Sequence, residues 1–426
     1  MSLPTINGAK SRGLDATMKQ PCTADKTRSS ATMLSVPRLR YIGAAVGVLF
    51  LFHLLASIHP TYRDKTSFGL LPSGWRDEPA HLSSSLASGP EAGTVAPIPS
   101  TEDLRAAKDK MDNRRKAKAV FVILARNSDL TGVMQSVKQM EDRFNYWAKY
   151  DYVFLNDDDF DDTFKELTQN VIGTKAHYGK IESDHWHQPS WIDEERAKAG
   201  REEMIRNKVI YGFSVPYRNM CRFNSGFFFR HPLLADYDYY WRVEPDVQFF
   251  CDIAYDPFLT MQDNGYKYGW TLSLYEYELT IPTLWSETKK FIQENPQYIH
   301  KNNALSWISD NGGESYNLCH FWSNFEIGDL NFWRSDAYMA YFNHLEKAGG
   351  FYYERWGDAP VHSIAAALFL DRNEIHWFQD IGYRHEPFQH CPQGEFHSRG
   401  KCWCDPKDNF DFEGYSCTAR WIDMMK

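Results

Sequence analysis

The stretch "AVFVILARNSDLTGVMQSVKQMEDRFNYWAKYDYVFLND" (119–157) decides the class of fold. It opens with a β-branched apolar run, 119–127, that ends in polar side chains, which is typical of a buried strand. A helical pattern follows, with apolar side chains at Val133, Val137 and Met140. A second apolar run, 150–157, precedes another helical pattern, "DDTFKELTQNV". Because the order is strand, helix, strand, helix, the sequence predicts a parallel α/β sheet with crossover helices.

The rest of the folded part continues with mixed patterns. Helical patterns cover 192–210, 335–350 and 358–370. Strand patterns cover 239–253, interrupted by a proline, and 266–277. No internal repeat occurs, so we interpret 113–426 as one mixed α/β unit.

Composition and charge exclude several classes of partner. Of the 426 residues, 43% are hydrophobic and 15% aromatic, which is enough for a large core with ring-lined pockets. The formal net charge of −9 disfavours general nucleic-acid binding, because such binding needs basic faces. Neither GxxxxGKS, GxxxxGKT nor GxGxxG occurs, so phosphate-binding loops of these kinds are excluded.

The N-terminal part predicts a membrane anchor. The segment 41–58 has no charged side chain and is just long enough to span a bilayer. Seven Lys and Arg residues precede it, so the positive-inside bias places 1–40 in the cytosol. The Ser- and Pro-rich part, 59–112, is then a flexible stem, and 113–426 is a lumenal domain. A cleaved signal peptide is the alternative, but 40 preceding residues are too many for its n-region.

Cysteine usage fits an oxidising lumen. The predicted lumenal part contains seven cysteines: Cys221, Cys251, Cys319, Cys391, Cys402, Cys404 and Cys417. Seven is an odd number, so we expect disulfides with at least one thiol left over or paired between chains. A zinc site among the C-terminal cysteines and histidines is the alternative. The CxC spacing of Cys402 and Cys404 argues against zinc, because zinc sites normally use CxxC.

The motif "RVEPDV" (242–247) is one candidate for a metal site. In an extended strand Glu244 and Asp246 are two residues apart and face the same side. Pro245 suits the end or edge of a strand. Two such oxygen ligands would hold Mn²⁺ or Mg²⁺ together with a diphosphate. The alternative is a pair of surface acids near Arg242 or Arg222.

Two further acids lie among aromatic residues. Glu326, in "SNFEI", is a candidate nucleophile or base, because carboxylates in apolar surroundings often have a chemical role. The alternative for Glu326 is an ion pair with Arg334 or Arg355. Asp358, in "RWGDAPVHS", precedes a helical pattern, so we interpret it first as an N-cap.

Several long stretches resemble one known family. They are "YRNMCRFNSGFFFRHPLL", "YDYYWRVEPDV", "CHFWSNFEI", "GGFYYERWGDAPVHSIA" and "IGYRHEPFQHCP". Together they resemble the fungal Golgi α-1,2-mannosyltransferases of glycosyltransferase family 15, over 115–426. The resemblance implies a GT-A-like nucleotide-sugar fold with a mixed, mainly parallel central sheet. It also implies Mn²⁺-dependent transfer of mannose from GDP-α-mannose to the 2-hydroxyl of an acceptor mannose, with retained configuration.

The resemblance also assigns roles to residues. It implies that Glu244 and His385 bind the metal and that Glu326 is the nucleophile. Tyr217 would lie beside donor and acceptor, and Arg126 at the nucleotide.

Other polar residues receive less definite roles from the same resemblance. Asp246 would neighbour the metal or the sugar, and Asp358 would join the donor- and acceptor-binding set. Arg222 and Arg355 would clamp phosphate or substrate, with ordinary ion pairs as the alternative.

The acidic run "LNDDDF" (155–160) offers a formal DxD pattern, but the resemblance implies that it is not the metal site. We interpret it as a solvated turn, with Asp161 or Asp162 capping the next helix.

The predicted partners are therefore GDP-mannose, a mannose-terminated glycan and a membrane bound through one N-terminal helix, without nucleic acid. An alternative function is that of an inactive lumenal mannan-binding or scaffold relative with the same fold. The sequence leaves open whether Glu326 forms a covalent intermediate or stabilises an oxocarbenium ion during front-side attack.

Overall fold

A seven-stranded mixed sheet forms the centre of residues 114–426, which are the residues that this computed structural model describes. The strands are β1 (Ala119–Leu124), β2 (Asp151–Asn156), β3 (Ala176–Lys180), β4 (Tyr239–Arg242), β5 (Gln248–Phe249), β6 (Tyr268–Trp270), β7 (Ser273–Tyr275), β8 (Cys319–Phe321), β9 (Glu326–Asp329), β10 (Ile375–Trp377), β11 (Tyr383–His385) and β12 (Phe388–His390). The main sheet has the order β10-β6-β9-β4-β1-β2-β3. A second sheet has the order β12-β11-β5, and β7 pairs with β8.

Helices of eight residues or more flank these sheets. They are α1 (Leu130–Met140), α2 (Asp162–Val171), α3 (Glu194–Arg206), α4 (Val215–Gly226), α5 (Pro257–Asn264), α6 (Leu284–Glu294), α7 (Asp336–Ala348), α8 (Asp358–Phe369) and α9 (Thr418–Met425). Shorter helical segments are Asn127–Asp129, Glu141–Asn145, Tyr146–Ala148, Ser183–Trp186, Phe228–Arg230, Pro232–Leu234, Glu278–Thr280, Pro296–Tyr298, Leu305–Ile308, Leu330–Trp333, Gly350–Tyr353, Arg372–Glu374, Gly394–Arg399 and Pro406–Asp408.

The strand pairing confirms the expectation of a mixed, mainly parallel sheet. Strands β4, β1, β2 and β3 run parallel, as do β10 and β6. Only β9 is antiparallel to its neighbours β4 and β6 in this described sheet. The C-terminal ends of β1 and β4 therefore meet the N-terminal end of β9 at one edge. Ligands of parallel α/β sheets bind at such an edge.

The apolar run of β1 is continuous because both faces of the sheet are covered. Val120 and Val122 pack into one buried cluster, and Phe121 and Ile123 pack into another on the opposite face. A strand buried on both sides needs apolar residues at every position rather than at alternate ones. The prediction of a buried first strand is thus confirmed.

Two predicted elements differ in extent from the observed ones. The predicted strand 266–277 is two strands, because β6 pairs within the main sheet whereas β7 leaves it to pair with β8. The predicted helix 192–210 ends at Arg206, and Lys208 beyond it has a left-handed φ of 55°. The helix predicted over 335–350 ends as expected, since Gly349 adopts φ 73° at its C-terminus.

Three disulfides connect the C-terminal segment to the body of the domain or close it upon itself. They join Cys251 to Cys402, Cys319 to Cys417 and Cys391 to Cys404. The remaining described cysteine, Cys221, is a buried free thiol. The expectation of disulfides with one thiol left over is confirmed. The ligand-like group Cys391, His397 and Cys404 includes one of these disulfides, so it does not offer the thiolates that zinc requires.

The predicted cytosolic tail (1–40), anchor (41–58) and stem (59–112) lie outside the described residues. Among residues 114–426, no helix combines the length and the apolar character needed to cross a bilayer.

Candidate active site

Glu326 is a fully buried carboxylate at the ligand-binding edge of the main sheet. It is the first residue of β9 and pairs in register with Arg242 at the end of β4. The phenol of Tyr240 donates to Glu326 Oε1 at 2.7 Å, and that of Tyr268 donates to Oε2 at 3.1 Å. His362 Nδ1 lies 3.0 Å from Oε2. Three polar partners thus offset the cost of burying this carboxylate.

The predicted alternative for Glu326, an ion pair with Arg334 or Arg355, is wrong. Arg334 donates instead to the backbone carbonyls of Phe229, Leu234 and Tyr237. Arg355 Nη1 donates to the carbonyl of Ile210. Glu326 is therefore held by phenols and an imidazole rather than by either arginine.

Arg242 connects two of the predicted site acids. Its Nε donates to Glu244 Oε1 at 2.6 Å, and its Nη1 donates to Asp358 Oδ2, also at 2.6 Å. Ser323 Oγ donates to the same Asp358 oxygen at 2.8 Å. Burial alone would lower the pKa of Arg242, but the charges of Glu244 and Asp358 outweigh burial and raise it. The guanidinium therefore stays charged.

The interpretation of Asp358 as an N-cap is wrong. Gly357 occupies the N-cap position of α8, and Asp358 is the first helical residue. Its carboxylate is buried against Arg242 and does not cap the helix. Burial alone would raise the pKa of Asp358, but the Arg242 charge outweighs it and lowers that pKa. The structure thus places Asp358 in the site.

The Glu244–Asp246 motif is a turn rather than the expected extended strand. Asp246 has a left-handed φ of 61°, and its N–H donates to the carbonyl of Gly132 at 3.2 Å. The Asp246 side chain lies so close to Gly132 that a Cβ there would come within 2.6 Å of the carboxylate. Because the backbone turns between them, Glu244 and Asp246 do not share one strand face. Asp246 is exposed beside the first turn of α1.

Strand β11 brings His385 beside this turn. In the antiparallel pairing of β11 with β5, Arg384 lies opposite Gln248, so His385 follows at the end of β5 nearest Glu244. The charge of Glu244, together with the larger effect of burial, raises the pKa of the Tyr383 phenol on the same strand. The sequence-distant residues Glu244 and His385 are therefore brought to one place by the small sheet.

The chemistry of His385 and Glu244 fits a divalent metal. The Nδ1 of His385 lies 3.0 Å from the backbone carbonyl of Glu386, which can only accept a hydrogen bond. Nδ1 therefore carries the proton, and Nε2 has a free lone pair for a metal. An imidazole nitrogen and a carboxylate oxygen are both suitable ligands for Mn²⁺.

Tyr217 and Arg355 pack against each other, and the charge of Asp358 acts on the Tyr217 phenol. The Arg355 guanidinium lies 5.0 Å from the centre of the Tyr217 ring, and that ring stacks on Tyr211 at 4.7 Å. Arg355 Nε is buried and has no hydrogen-bond partner among the described residues. Its Nη2 lies 4.0 Å from Glu276, so an ion pair, the alternative for Arg355, is present at long range.

Arg222 matches the ion-pair alternative rather than a phosphate clamp. Its Nη2 donates to Glu346 at 2.7 Å, and its Nη1 contacts the carbonyls of Asp184, His185 and His187. The side chain is only 5% exposed. These contacts use the guanidinium to join α4, α7 and the turn before α3, so it is not free to bind a donor.

Arg126 lies directly after β1, at the ligand-binding edge. Its side chain is 63% exposed and forms an ion pair with Asp129 at 2.9 Å. The structure places Arg126 at the expected edge but shows no contact with the buried part of the site.

The acidic run after β2 is a turn, as interpreted. Asp159 binds Lys180 at 2.7 Å, and the side chain of Asp158 is 81% exposed. Asp161 caps α2 by accepting from Phe164 N at 2.7 Å. Of the two aspartates in the formal DxD pattern, Asp159 thus binds a surface lysine, and Asp157 is half-buried directly after β2.

Sequence reasoning missed several residues that contact the site. They are Asn224, Tyr240, Tyr268, Ser323 and His362. Two of them had a detectable signal. Tyr240 is two residues before Arg242 and so shares its strand face, and His362 is four residues after Asp358 on one helix face.

A small cavity lies at the end of β1 and β4, against Glu326. Its volume of about 10 Å³ has room for roughly one water molecule. It is lined by Val122, Leu124, Asn224, Phe228, Tyr240, Arg242 and Glu326. The buried carboxylate therefore faces a small space at the sheet edge whose lining is mainly apolar.

Comparison with known proteins defines the class: the chain is a glycosyltransferase. A family model described as glycolipid 2-alpha-mannosyltransferase matches residues 87–426. The chain belongs to this family. Glycolipid 2-alpha-mannosyltransferase 1 of Candida albicans is 54% identical over 335 residues, or 78% of this chain and 77% of the relative. Alpha-1,2 mannosyltransferase KTR1 of Saccharomyces cerevisiae is 55% identical, covering 73% of this chain and 79% of the relative.

Solved structures agree with this assignment. Core-mannan synthase A from Aspergillus fumigatus, in an Mn/GDP form, is 41% identical with a TM-score of 0.69, over 73% of this chain and 86% of that one. Mannosyltransferase Ktr4p from S. cerevisiae, in complex with GDP, is 43% identical with a TM-score of 0.69, over 72% and 82%.

Proposed function

We propose that this chain is a retaining α-1,2-mannosyltransferase that moves mannose from GDP-α-mannose to the 2-hydroxyl of an acceptor mannose, in protein O- or N-glycosylation. The observation that carries the proposal is the buried Glu326, held at the sheet edge in register with Arg242. Arg242 in turn contacts Glu244, so the carboxylate lies next to the turn that we assign to metal binding. The relatives above support the reaction by their names, and two solved relatives by their bound GDP.

Glu244 and His385 are the residues that would hold Mn²⁺. The support is the free Nε2 of His385 and the pairing of β11 with β5, which brings its strand to Glu244. When bound, the metal ion neutralises negative charge on the phosphates of the departing GDP. Asp246, exposed in the same turn, would neighbour the metal or the sugar.

Glu326 supplies the negative charge that the reacting sugar needs. As the glycosidic bond to GDP breaks, positive charge develops at C1 of mannose. Glu326 either attacks C1 to form a covalent intermediate or stabilises that charge while the acceptor hydroxyl attacks from the front. Both routes retain the configuration at C1.

Further residues would orient the two substrates. Tyr217, with Arg355 above its ring, offers an apolar face and a cation beside the site. Exposed Arg126 would contact the nucleotide from the end of β1. Asp358 acts through Arg242, which it holds in place.

The place of action that we propose is the Golgi membrane, with a single-pass type II topology. The support is the uncharged segment 41–58, the preceding basic residues and the three disulfides, which form in an oxidising lumen. Residues 59–112 would be the stem.

The test is transfer of mannose by the full-length protein. With GDP-mannose, Mn²⁺ and α-methyl mannoside, we expect an α-1,2-linked disaccharide, identified by NMR. Glu326→Gln should lower kcat by about 100-fold or more with little change in GDP binding. If the wild-type protein binds GDP-mannose or mannan but forms no disaccharide, the inactive mannan-binding or scaffold alternative is correct.

A further inference from the structure

The buried imidazole of His362 has two different hydrogen-bond partners. His362 is on α8 and, like Glu326, has no exposed surface. Its Nε2 lies 3.1 Å from the backbone carbonyl of Asn224 on α4, and its Nδ1 lies 3.0 Å from Glu326 Oε2. A carbonyl oxygen can only accept, so Nε2 is the nitrogen that carries a proton.

The protonated Nε2 has a consequence for the other side of the ring. If His362 is neutral, Nδ1 is an acceptor, and the contact with Glu326 needs a proton on the carboxyl group. If His362 is charged, Nδ1 donates to a carboxylate. In both forms one proton lies between Nδ1 and Oε2. The proton belongs to the pair rather than to either residue alone.

The surroundings fix the remaining hydrogen bonds of Glu326. Trp333 stacks on the His362 ring at 4.3 Å, and its Nε1 donates to the Tyr240 phenol oxygen at 3.0 Å. That phenol must then direct its own proton to Glu326 Oε1. Oε2 accepts from Tyr268 and contacts His362, whereas Oε1 accepts only from Tyr240. Oε1 is therefore the oxygen that can accept one further hydrogen bond.

Charged and titratable groups face the pair from each packed element. On β4 they are Arg242 and Tyr240, on β6 Tyr268, on α7 Tyr338 and on α8 Asp358. Arg242 already has two carboxylate partners, Glu244 and Asp358. Of the basic side chains around Glu326, His362 is therefore the one in direct hydrogen-bond contact with it.

From this geometry we infer that His362 is a positioning residue for the transfer reaction: it fixes the orientation of Glu326 and shares the proton that balances its buried charge. The inference rests on the proposed function, in which Glu326 attacks C1 of the mannose or stabilises the charge that develops there. His362 touches neither substrate in this assignment. It acts on chemistry through Glu326, and not on binding of GDP-mannose.

The experiment compares two variants of the full-length protein. His362→Gln places an amide near Nε2, so it keeps the partner Asn224 and loses the contact with Glu326. His362→Asn places an amide near Nδ1 and can still donate to Glu326. His376→Gln is the matched control, because His376 on β10 packs against Tyr266 and Phe378, away from the site. Steady-state kinetics, the pH profile of kcat and the melting temperature are measured for each.

The expected result separates kcat from KM. His362→Gln should lower kcat by about 30-fold or more, with KM for GDP-mannose within about threefold of wild type. The pH profile of its kcat should differ from that of the wild type, because the proton between Nδ1 and Oε2 has lost one of its two partners. His362→Asn should recover about fivefold or more of the lost kcat, and the control should match wild type.

Two results would overturn the inference while leaving the proposed function intact. One is a His362→Gln enzyme with wild-type kcat and pH profile. The other is an equal loss of kcat in His362→Gln and His362→Asn, in proportion to their loss of melting temperature. Wild-type protein without mannosyl transfer would instead refute the proposed function. If His362→Gln does not fold, the kcat and pH profile of His362→Asn decide.

Discussion

Arg242 and Asp358 lie 2.6 Å apart in the interior and join the end of β4 to the first turn of α8. The same guanidinium is 2.6 Å from Glu244, so two carboxylates compete for one cation. The positive charge of Arg242 is therefore shared between Glu244 and Asp358. A change at Asp358 should reach the metal site through Arg242 without altering any proposed metal ligand.

Asp358→Asn should raise the Mn²⁺ concentration that gives half-maximal activity. With the Asp358 charge removed, Arg242 interacts more strongly with Glu244 and makes this carboxylate a weaker metal ligand. We expect an increase of about tenfold, which corresponds to about 1.4 kcal/mol. Titrating activity with Mn²⁺ at saturating GDP-mannose measures it. Ser323→Ala, which removes only a neutral hydrogen bond to Asp358, should have a smaller effect, and an unchanged Mn²⁺ requirement in Asp358→Asn would refute the competition.

Glu244→Ala should abolish Mn²⁺-dependent transfer. The substitution removes the carboxylate ligand and leaves only His385 from the chain at the metal. Activity at millimolar Mn²⁺ and direct Mn²⁺ binding are the measurements. Asp159→Ala, in the acidic run after β2, is the control and should retain wild-type activity because Asp159 binds only Lys180. If Asp159→Ala lost Mn²⁺ binding and Glu244→Ala kept it, the metal site would lie in the acidic run after β2 and not at Glu244.

Arg222→Lys should destabilise the protein without affecting donor binding. A lysine cannot reproduce the paired contacts with Glu346 together with those to the carbonyls. Because the side chain is buried, we expect a loss of about 3 kcal/mol in the free energy of unfolding. Denaturant unfolding and KM for GDP-mannose are measured together. A stable variant with a strongly raised KM for GDP-mannose would show that Arg222 binds the donor.

Replacing Cys251 and Cys402 by serine should weaken the metal site as well as the fold. The disulfide ties the chain just after β5 to the C-terminal segment, and β11 must pair with β5 to place His385. We expect a loss of about 3 kcal/mol in stability and a higher Mn²⁺ requirement. The double serine variant of Cys319 and Cys417 should lose similar stability but keep its Mn²⁺ requirement. Equal Mn²⁺ requirements in the two variants would contradict the assignment.

Stability should fall as the pH rises above neutrality because of a buried ion pair. His390 Nδ1 lies 2.8 Å from Asp411, and both side chains are 2% exposed. Burial lowers the pKa of His390, but the charge and hydrogen bond of Asp411 outweigh burial and raise it. The pair therefore stabilises the fold fully below the unfolded pKa of about 6.5, and this contribution is lost as the pH rises through the folded pKa. Melting temperatures from pH 5 to 9 measure the loss.

His390→Gln and Asp411→Asn test the origin of this pH dependence. Each removes one member of the pair, so each should flatten the decline of melting temperature with rising pH. A decline that persists unchanged in both variants would assign it to other groups.

Local patterns predicted the elements that local forces determine. The run 119–127 predicted β1 because a strand covered on both faces needs apolar residues throughout. A cap of α2 at Asp161 or Asp162, observed at Asp161, and the end of α7 at Gly349 followed from short-range geometry. The predicted strand 266–277 failed because its division into β6 and β7 depends on which neighbour each half meets.

The partners of site residues depend on contacts between distant parts of the chain. Asp358 has the spacing of an N-cap, and only its approach to Arg242, 116 residues earlier, makes it part of the site. Arg222 lies in a stretch that resembles the family closely, yet its contact with Glu346, 124 residues later, uses its guanidinium. No periodicity in a single sequence contains such information, because it is decided by packing.

The disulfide between Cys251 and Cys402 spans 151 residues, which has a consequence for synthesis of the protein. A ribosome completes the turn with Glu244 long before it makes His385 and Cys402. The strands that carry Arg242 and Glu326 are thus synthesised before the segment that carries His385 and Cys402. A nascent chain therefore acquires its full set of proposed metal ligands only after His385 has been made, and a chain truncated before it would lack them.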